Sequence, residues 1–373
     1  MPVKTIFASL LFVVLSTINV SASDHVTLSI GAKAPDFNLP GVDGKIYSLQ
    51  SFSKANILVI IFTCNHCPTA QAYEDRIIAL NNDYKSRGVA VVAISPNDPK
   101  AIRLDELGYT DLSDSYEEMK IRSKQKQFNF PYLFDGKTQS TALAYGPAAT
   151  PHVFIFDTER KLRFQGRIDD MENPRKTPKT QDARMAIDAL LAGNAPAVAT
   201  TKVFGCSVKW AEKETYQANE RADWERETVA VDTIDENGIK ELLKNNSDKL
   251  RLINVWATWC GPCVVEFPDF MEINHMYRKR DFEFISISAD APENKEKVLK
   301  FLNKQHASNA NYLFWQDDKY KLIEAIDPKW QGALPYTILV EPGGKIVYAK
   351  AGRIDVPVMK KTIVENRIIG RVY

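Results

Sequence analysis

Two apolar blocks, Ile57 to Phe62 and Val89 to Ile94, run without a polar interruption and end at polar turns. Short runs without alternation predict strands covered on both faces. Between them Ala72, Ile77, Leu80 and Tyr84 recur at helical spacing, and the pattern stops at Gly88. Upstream, two extended runs between Pro35 and Leu49 flank Gly41-Val42-Asp43-Gly44 and predict a leading hairpin. Downstream of a polar insertion, a helix is predicted from about Tyr116 to Phe128. Thr150-Pro151, a hairpin of Val153 to Phe156 with Leu162 to Gln165, and a closing helix from Asp182 to Leu191 follow.

The second half repeats that order. Leu252 to Trp256 reads as a strand, Pro262 to Tyr277 as a helix, Phe282 to Ser288 as a strand and Asn294 to Lys304 as a helix. Leu334-Pro335 then leads to Tyr336 to Val340, a Pro342-Gly343-Gly344 turn and Lys345 to Ala351. Both copies leave this last strand through the same four residues, Gly166-Arg167-Ile168-Asp169 and Gly352-Arg353-Ile354-Asp355. The repeat is one of fold, not of overall sequence. It predicts an α/β protein of two tandem domains, each a mixed central sheet with helices on both faces. The boundaries read as a leader at 1–22, a first domain at 23–210, a linker at 211–230 and a second domain at 231–373. The stretch from Gly193 to Asp232 reads as a flexible, partly helical connection.

The leader has a basic start at Lys4, an apolar run from Ile6 to Leu15 and a small-residue site at Val20-Ser21-Ala22. That is the grammar of a secretory signal, so the mature protein is expected in the periplasm or outside the cell. No later stretch approaches the roughly 18 apolar residues of a membrane span. Without Lys4 the formal net charge of +1 falls to zero, which gives no attraction to nucleic acid or anionic lipid. The chain carries 5 cysteines, an odd count for an exported protein, and Cys206 is the one left over.

The chemistry lies in two Cys-x-x-Cys pairs, Cys64-Asn65-His66-Cys67 and Cys260-Gly261-Pro262-Cys263, each placed after a buried strand and before a helix. A zinc ribbon repeats such pairs within about 20 residues. Here they lie in different halves of the chain, each inside its own strand and helix pattern, which points to two dithiol/disulfide sites. In each, the first cysteine is expected to attack, because the free N–H groups of a helix start stabilise its thiolate. The second, Cys67 or Cys263, then resolves the mixed disulfide. His66 beside the first dithiol favours its thiolate and hence a more oxidising site. Glu266 lies one helical turn past Cys263, with an exposed surface carboxylate as its other reading.

These residues resemble the thioredoxin superfamily, and the two halves resemble different branches. Trp256-Ala257-Thr258-Trp259-Cys260-Gly261-Pro262-Cys263-Val264-Val265-Glu266-Phe267-Pro268 is similar to the TlpA/ResA-like exported thiol-disulfide oxidoreductases. Phe62-Thr63-Cys64-Asn65-His66-Cys67-Pro68, Tyr73-Glu74-Asp75-Arg76, Phe130-Pro131-Tyr132-Leu133, Gly166-Arg167-Ile168-Asp169-Asp170 and Gly205-Cys206-Ser207-Val208-Lys209-Trp210 resemble the redoxin branch related to alkyl hydroperoxide reductase. The resemblance implies cis prolines at Pro151 and Pro335. It also implies that the backbone of Thr150 and Leu334 pairs with an extended substrate chain, and that Glu266 accepts the proton of Cys263. Where thioredoxins place a buried aspartate before the dithiol, this chain has Leu58 and Asn254, and position 70 is alanine.

The function expected is exchange of disulfides with exported cysteine-containing proteins, supplied by an upstream thiol donor and needing no cofactor beyond the redox-active disulfides and no metal. Electrons are expected to pass from the Cys260 pair to the Cys64 pair, helped by a flexible connection. Two alternatives stay open. One is a thiol peroxidase, although neither Cys64 nor Cys67 sits in a Pro-x-x-x-Thr-x-x-Cys frame. The other is a copper chaperone that uses Cys64, Cys67 and a histidine, His66 or His152. Cys206 reads as a packing thiol, a third redox cysteine or a tether to another chain.

Overall fold

The computed structural model describes residues 25–372, so the leader expected at 1–22 lies outside the described residues. The first domain runs β1 (Leu39–Pro40), β2 (Ile46–Tyr47), β3 (Ile57–Phe62), α1 (Pro68–Tyr84), β4 (Val89–Ser95), α2 (Tyr116–Lys126), β5 (Tyr132–Phe134), α3 (Ser140–Tyr145), β6 (His152–Phe156), β7 (Leu162–Gly166) and α4 (Asp182–Leu191). A helix α5 (Glu214–Glu225) follows. The second domain runs β8 (Asp232–Ile234), α6 (Glu236–Lys244), β9 (Leu250–Trp256), α7 (Gly261–Tyr277), β10 (Phe282–Ser288), α8 (Lys295–Lys304), β11 (Ala310–Phe314), α9 (Lys319–Ile326), β12 (Tyr336–Glu341), β13 (Lys345–Ala351) and α10 (Val356–Glu365).

The duplication holds in three dimensions. The first sheet is ordered β5-β4-β3-β6-β7 and the second β13-β12-β9-β10-β11-β8, so the same five strands recur and β8 is added at one edge. In both, the first three strands pair in parallel and the hairpin pairs antiparallel. Strand β3 is buried along its whole length. Its alternate residues serve two cores: Val59 and Ile61 meet Tyr73, Ile77 and Leu80 of α1, while Leu58, Ile60 and Phe62 meet Tyr145 and Phe154. That is why its sequence shows no polar alternation. Strand β9 does the same with two polar exceptions, Arg251, which pairs with Glu283, and Asn254. Leu252 and Trp256 face Phe267 and Phe270 of α7, and the period of two puts buried Asn254 on that same face.

The strands and helices expected from long apolar patterns lie where the patterns put them. The elements not read from the sequence are β5, α3, β8, α6, β11, α9 and α10; all but α10 are shorter than the helices that were read, with few residues to show a period. The connection differs from expectation. Residues 199–201 run along β7, where Gln165 N donates to Ala199 O at 3.0 Å and Thr201 N to Gln165 O at 3.1 Å. Val208 and Trp210 are core residues of the first domain. Trp224 of α5 is buried and stacks on His275 of α7, ring centroids 3.5 Å apart. The segment is therefore a packed strap and helix, not a flexible linker, because its apolar residues find partners on both domains.

The two domains also meet directly. Ile102 and Leu107 of the first domain join the core of the second, the Tyr277 hydroxyl donates to Thr110 O at 2.9 Å, and Arg371 donates to Asp111 at 2.6 Å and Gln71 at 3.0 Å. The native chain is therefore expected to resist limited proteolysis between residues 205 and 227. Trp224→Ala should cost about 3 kcal/mol of stability and open α5 to cleavage, seen by mass mapping of the fragments. Equal cleavage of native and variant chains there would contradict the packing.

Candidate functional site

The second dithiol is itself buried, Cys260 6% and Cys263 1% exposed, but lies among exposed neighbours. Central strand β9 ends at Trp256, and Ala257 to Trp259 carry the chain to Cys260, which is the N-cap of α7 and accepts a hydrogen bond from Cys263 N at 3.3 Å. Cys260 and Cys263 form a disulfide. The loop is held by Asp290, which accepts from Thr258 N at 2.8 Å and from Thr258 Oγ1 at 2.5 Å. Beside the motif Trp259 is 65% exposed and Val265 61%, so an apolar rim surrounds the entrance. Pro335 follows Leu334 in a cis bond.

Glu266 is buried, 1% exposed, and the exposed-carboxylate reading is wrong. Its Oε2 accepts from Ile354 N at 3.0 Å, in the four-residue motif that follows β13. Its Oε1 meets no donor among the described residues. Burial pushes the carboxyl up to about 7, against the pull of the Ile354 N–H and the Arg353 charge. A carboxyl with one free oxygen and a pKa near neutrality, one turn from Cys263, is suited to take and return a proton.

The first dithiol is closed. Residues Thr63 to Cys67 are all buried, with Cys64 2% and Cys67 0% exposed. Phe62 and Val255 each pair with the residue after the cis proline, His152 and Tyr336, and counted from them the N-cap falls at the same place in both domains. Cys67 stands where the second domain has Cys260, accepting from Ala70 N at 3.5 Å, and Cys64 stands where it has Ala257. The expectation that Cys64 is the exposed attacking sulfur at the helix start is therefore corrected: Cys67 holds that place. Burial raises the Cys67 thiol, but hydrogen bonds from Cys206 and Cys64, the His66 charge and the Ala70 N–H outweigh it and bring it well below the ordinary range. Burial and the neighbouring Cys67 push Cys64 well above that range. When Cys67 is protonated, its thiol faces Thr150 O at 3.4 Å.

His66 is neither exposed nor free to act on the dithiol alone. Its Nδ1 lies 2.6 Å from Asp114 Oδ2 in a buried ion pair. Asp114 also accepts from the backbone N–H groups of Asn65 at 2.8 Å and His66 at 2.9 Å and from Asn97 Nδ2 at 2.6 Å. Burial lowers the imidazole, but the Asp114 charge outweighs it and leaves His66 above its ordinary value. Cys64, His66 and Asp114 present ligand atoms within 4.8 Å of one another. Asp114 is already committed to four donors, so a cation there would have to displace them. His152 is buried and accepts from Ala148 N at 3.1 Å, while its Nε2 meets Gln165 Oε1 at 2.7 Å. Burial holds it neutral, down to about 4. With both ring nitrogens engaged, His152 is not available to the copper reading.

Pro151 follows Thr150 in a cis bond. Thr150 Oγ1 lies 3.3 Å from Cys64 Sγ, and Thr150 N donates to Cys206 O at 2.9 Å.

Comparison with known proteins agrees with this doubling. Residues 30–165 match the AhpC/TSA family model, and residues 228–366 match the Redoxin model. The chain is a tandem of two thioredoxin-superfamily domains. Among curated relatives, the thiol-disulfide oxidoreductase ResA of Bacillus subtilis is 28% identical over 32% of this chain and 62% of its own length. The ResA of Bacillus thuringiensis is 31% identical over 30% of this chain and 61% of its own length. The chain thus spans about three fifths of the length of these relatives. Among solved structures, a hypothetical protein of Sinorhizobium meliloti is 33% identical, with a TM-score of 0.45, over 50% of this chain and 97% of that one.

In this tandem protein the sequence brought forward Cys64, Cys67, Cys260, Cys263, His66, Glu266, Pro151 and Pro335: the cysteines and His66 lie at or just before the two helix starts, Glu266 in the second turn of α7, and the prolines directly before β6 and β12. It missed Asp114, Asn97 and Asp290, which anchor the two motifs from loops distant in sequence. No motif marks them.

Glu266 gives a stability test. Its carboxyl binds a proton more tightly folded than unfolded, so its contribution is fully present below about pH 4.5 and is lost as pH rises through about 7. Urea unfolding from pH 4 to 8 should show native stability falling relative to Glu266→Gln by on the order of 2 to 3 kcal/mol. A difference that does not change with pH would place the carboxyl in an ordinary environment.

Proposed function

We propose that the chain is an exported thiol-disulfide oxidoreductase whose Cys260–Cys263 pair exchanges disulfides with cysteine-containing proteins and is recharged by an upstream thiol donor. The observation that supports this most is the second site itself: a disulfide at a helix N-terminus, an exposed apolar rim at Trp259 and Val265, and a buried proton acceptor behind it. In the reducing direction the Cys260 thiolate attacks a substrate disulfide and one substrate thiolate leaves. Glu266 then takes the proton of Cys263, and the Cys263 thiolate attacks Cys260 Sγ, releasing the second substrate sulfur and closing the disulfide. The relatives named ResA are consistent with this chemistry. The redox-active disulfides serve as the only cofactor in the reading.

Transfer from the Cys260 pair to the Cys64 pair belongs to the same proposal on stricter terms. α7 turns its Tyr277 end toward the first domain, and Cys260 lies at its other end, about 25 Å along the axis at 1.5 Å per residue. The buried Cys64 and Cys67 add a second barrier, so transfer requires the domains to part or another chain to approach.

A second reading is favoured for the first domain by the buried Cys67 at a helix start. A small peroxide is the kind of oxidant that fits so closed a place. Cys67 thiolate would attack one peroxide oxygen, releasing an alcohol or water, and a neighbouring thiol would condense with the sulfenic acid to give a disulfide and water.

With insulin as the disulfide substrate, Cys260→Ser should abolish turnover and Cys263→Ser should accumulate a mixed disulfide. Glu266→Gln should form that mixed disulfide normally and resolve it roughly tenfold more slowly at neutral pH. Cys64→Ser should keep insulin turnover. Full turnover by Cys260→Ser would overturn the leading reading, and peroxide consumption by Cys260→Ser that vanishes in Cys67→Ser would support the second.

A further inference from the structure

We propose that Cys206 is a third redox cysteine of the first site, forming a disulfide with Cys67, and that the strap carrying it lies where a substrate chain would pair. The inference rests on the first site being redox-active, as the reading above has it. It does not depend on what the Cys260 site acts on.

Two observations carry it. Cys206 packs on the cluster of Cys64, Cys67 and Ala70, which gathers the three free sulfurs of the first domain at one place. The backbone of Cys206 forms an antiparallel bridge with Thr150, through Thr150 N to Cys206 O at 2.9 Å. Thr150 is the residue before the cis proline, the edge from which a partner chain would be held beside the dithiol. Here the chain's own strap holds that edge, in the manner of a bound peptide whose cysteine points at the active sulfur.

The strap is built for close approach. Gly205 has φ +146, and a Cβ there would lie 2.0 Å from Thr150 O, so only glycine admits this contact. On either side, residues 199–201 pair with β7, and Val208 and Trp210 are buried in the core. Cys206 is thus held in register. It is also partly exposed, while Cys64 and Cys67 are buried.

The exchange needs no added oxidant. Starting from a Cys64–Cys67 disulfide, the Cys206 thiolate attacks Cys67 Sγ. The Cys67–Cys206 bond forms, the Cys64–Cys67 bond breaks, and Cys64 leaves as a thiolate that takes the proton Cys206 gave up. One disulfide and one thiol are present before and after. The effect is to carry the disulfide from the closed end of the site to the sulfur nearest solvent, where an external thiol can reach it.

The test uses the full-length chain oxidised with glutathione disulfide, quenched in acid, alkylated and mapped by proteolysis and mass spectrometry. In Cys64→Ser an intramolecular Cys67–Cys206 disulfide is expected, at a yield independent of protein concentration. In the native chain Cys64–Cys67 and Cys67–Cys206 should both be found, and Gly205→Ala should lower the second at least about fivefold while sparing the first, since a thiol out of register does not exchange. Formation of Cys64–Cys67 with no Cys67–Cys206 link in either the native chain or Cys64→Ser would overturn this inference alone. Failure of every pairing among the three sulfurs would overturn the redox reading of the first site with it.

Discussion

A sulfur at the open N-terminus of a helix, fed by a strand buried on both faces, is the constraint on which both halves depend. The strand fixes where the chain emerges from the sheet, and the position of the motif along the following turn fixes which cysteine reaches the helix start. That cysteine is Cys260 in the second domain and Cys67 in the first. The N–H groups of the first helical turn can favour only the sulfur set before them. The connection has the same length in both domains, counted from Phe62 and Val255, which oppose the residue after each cis proline; it is the motif that is shifted along it, so the second cysteine of one pair and the first of the other reach the helix start.

The two sites then handle charge in opposite ways. In the second, the polar group under the dithiol is a single carboxyl, Glu266, pushed up to about 7 by burial with one oxygen unengaged. It is held in a state where a proton costs little to accept or release. In the first, the polar groups cancel one another: Asp114 neutralises His66 and also accepts the backbone N–H groups between the cysteines. A buried ion pair so fully bonded resists change of either partner. The first site thus keeps a fixed field, and its mobile protons lie on sulfur.

What the sequence disclosed follows from physical range. Strands β3 and β4 were readable because an unbroken apolar run has only one economical placement in a sheet, and β13, which has no fully buried residue, because a Pro342-Gly343-Gly344 turn introduces it. The dithiols were readable because their chemistry requires two sulfurs one helical turn apart. Asp114 was not, because its meaning comes from reaching a motif on another strand. Cys206 carried no local sign either: nothing in Gly205-Cys206-Ser207 says that it will meet Thr150. Burial of His66 and Glu266 was equally hidden, since a polar residue in a helical stretch looks the same whether its neighbour is solvent or an N–H from a distant turn.

Packing also decides what duplication can mean here. Two copies on a loose tether would share substrates by raising each other's local concentration. In this chain Trp224, Leu107 and Arg371 fasten the domains together, with the Tyr277 end of α7 against the first domain and the Cys260 end pointing elsewhere. The two dithiols differ in their borders: Trp259 and Val265 stand exposed beside the second, while the residues from Thr63 to Cys67 are buried and Cys206 packs on the first. A duplicated fold has thus acquired two different surroundings for the same pair of sulfurs.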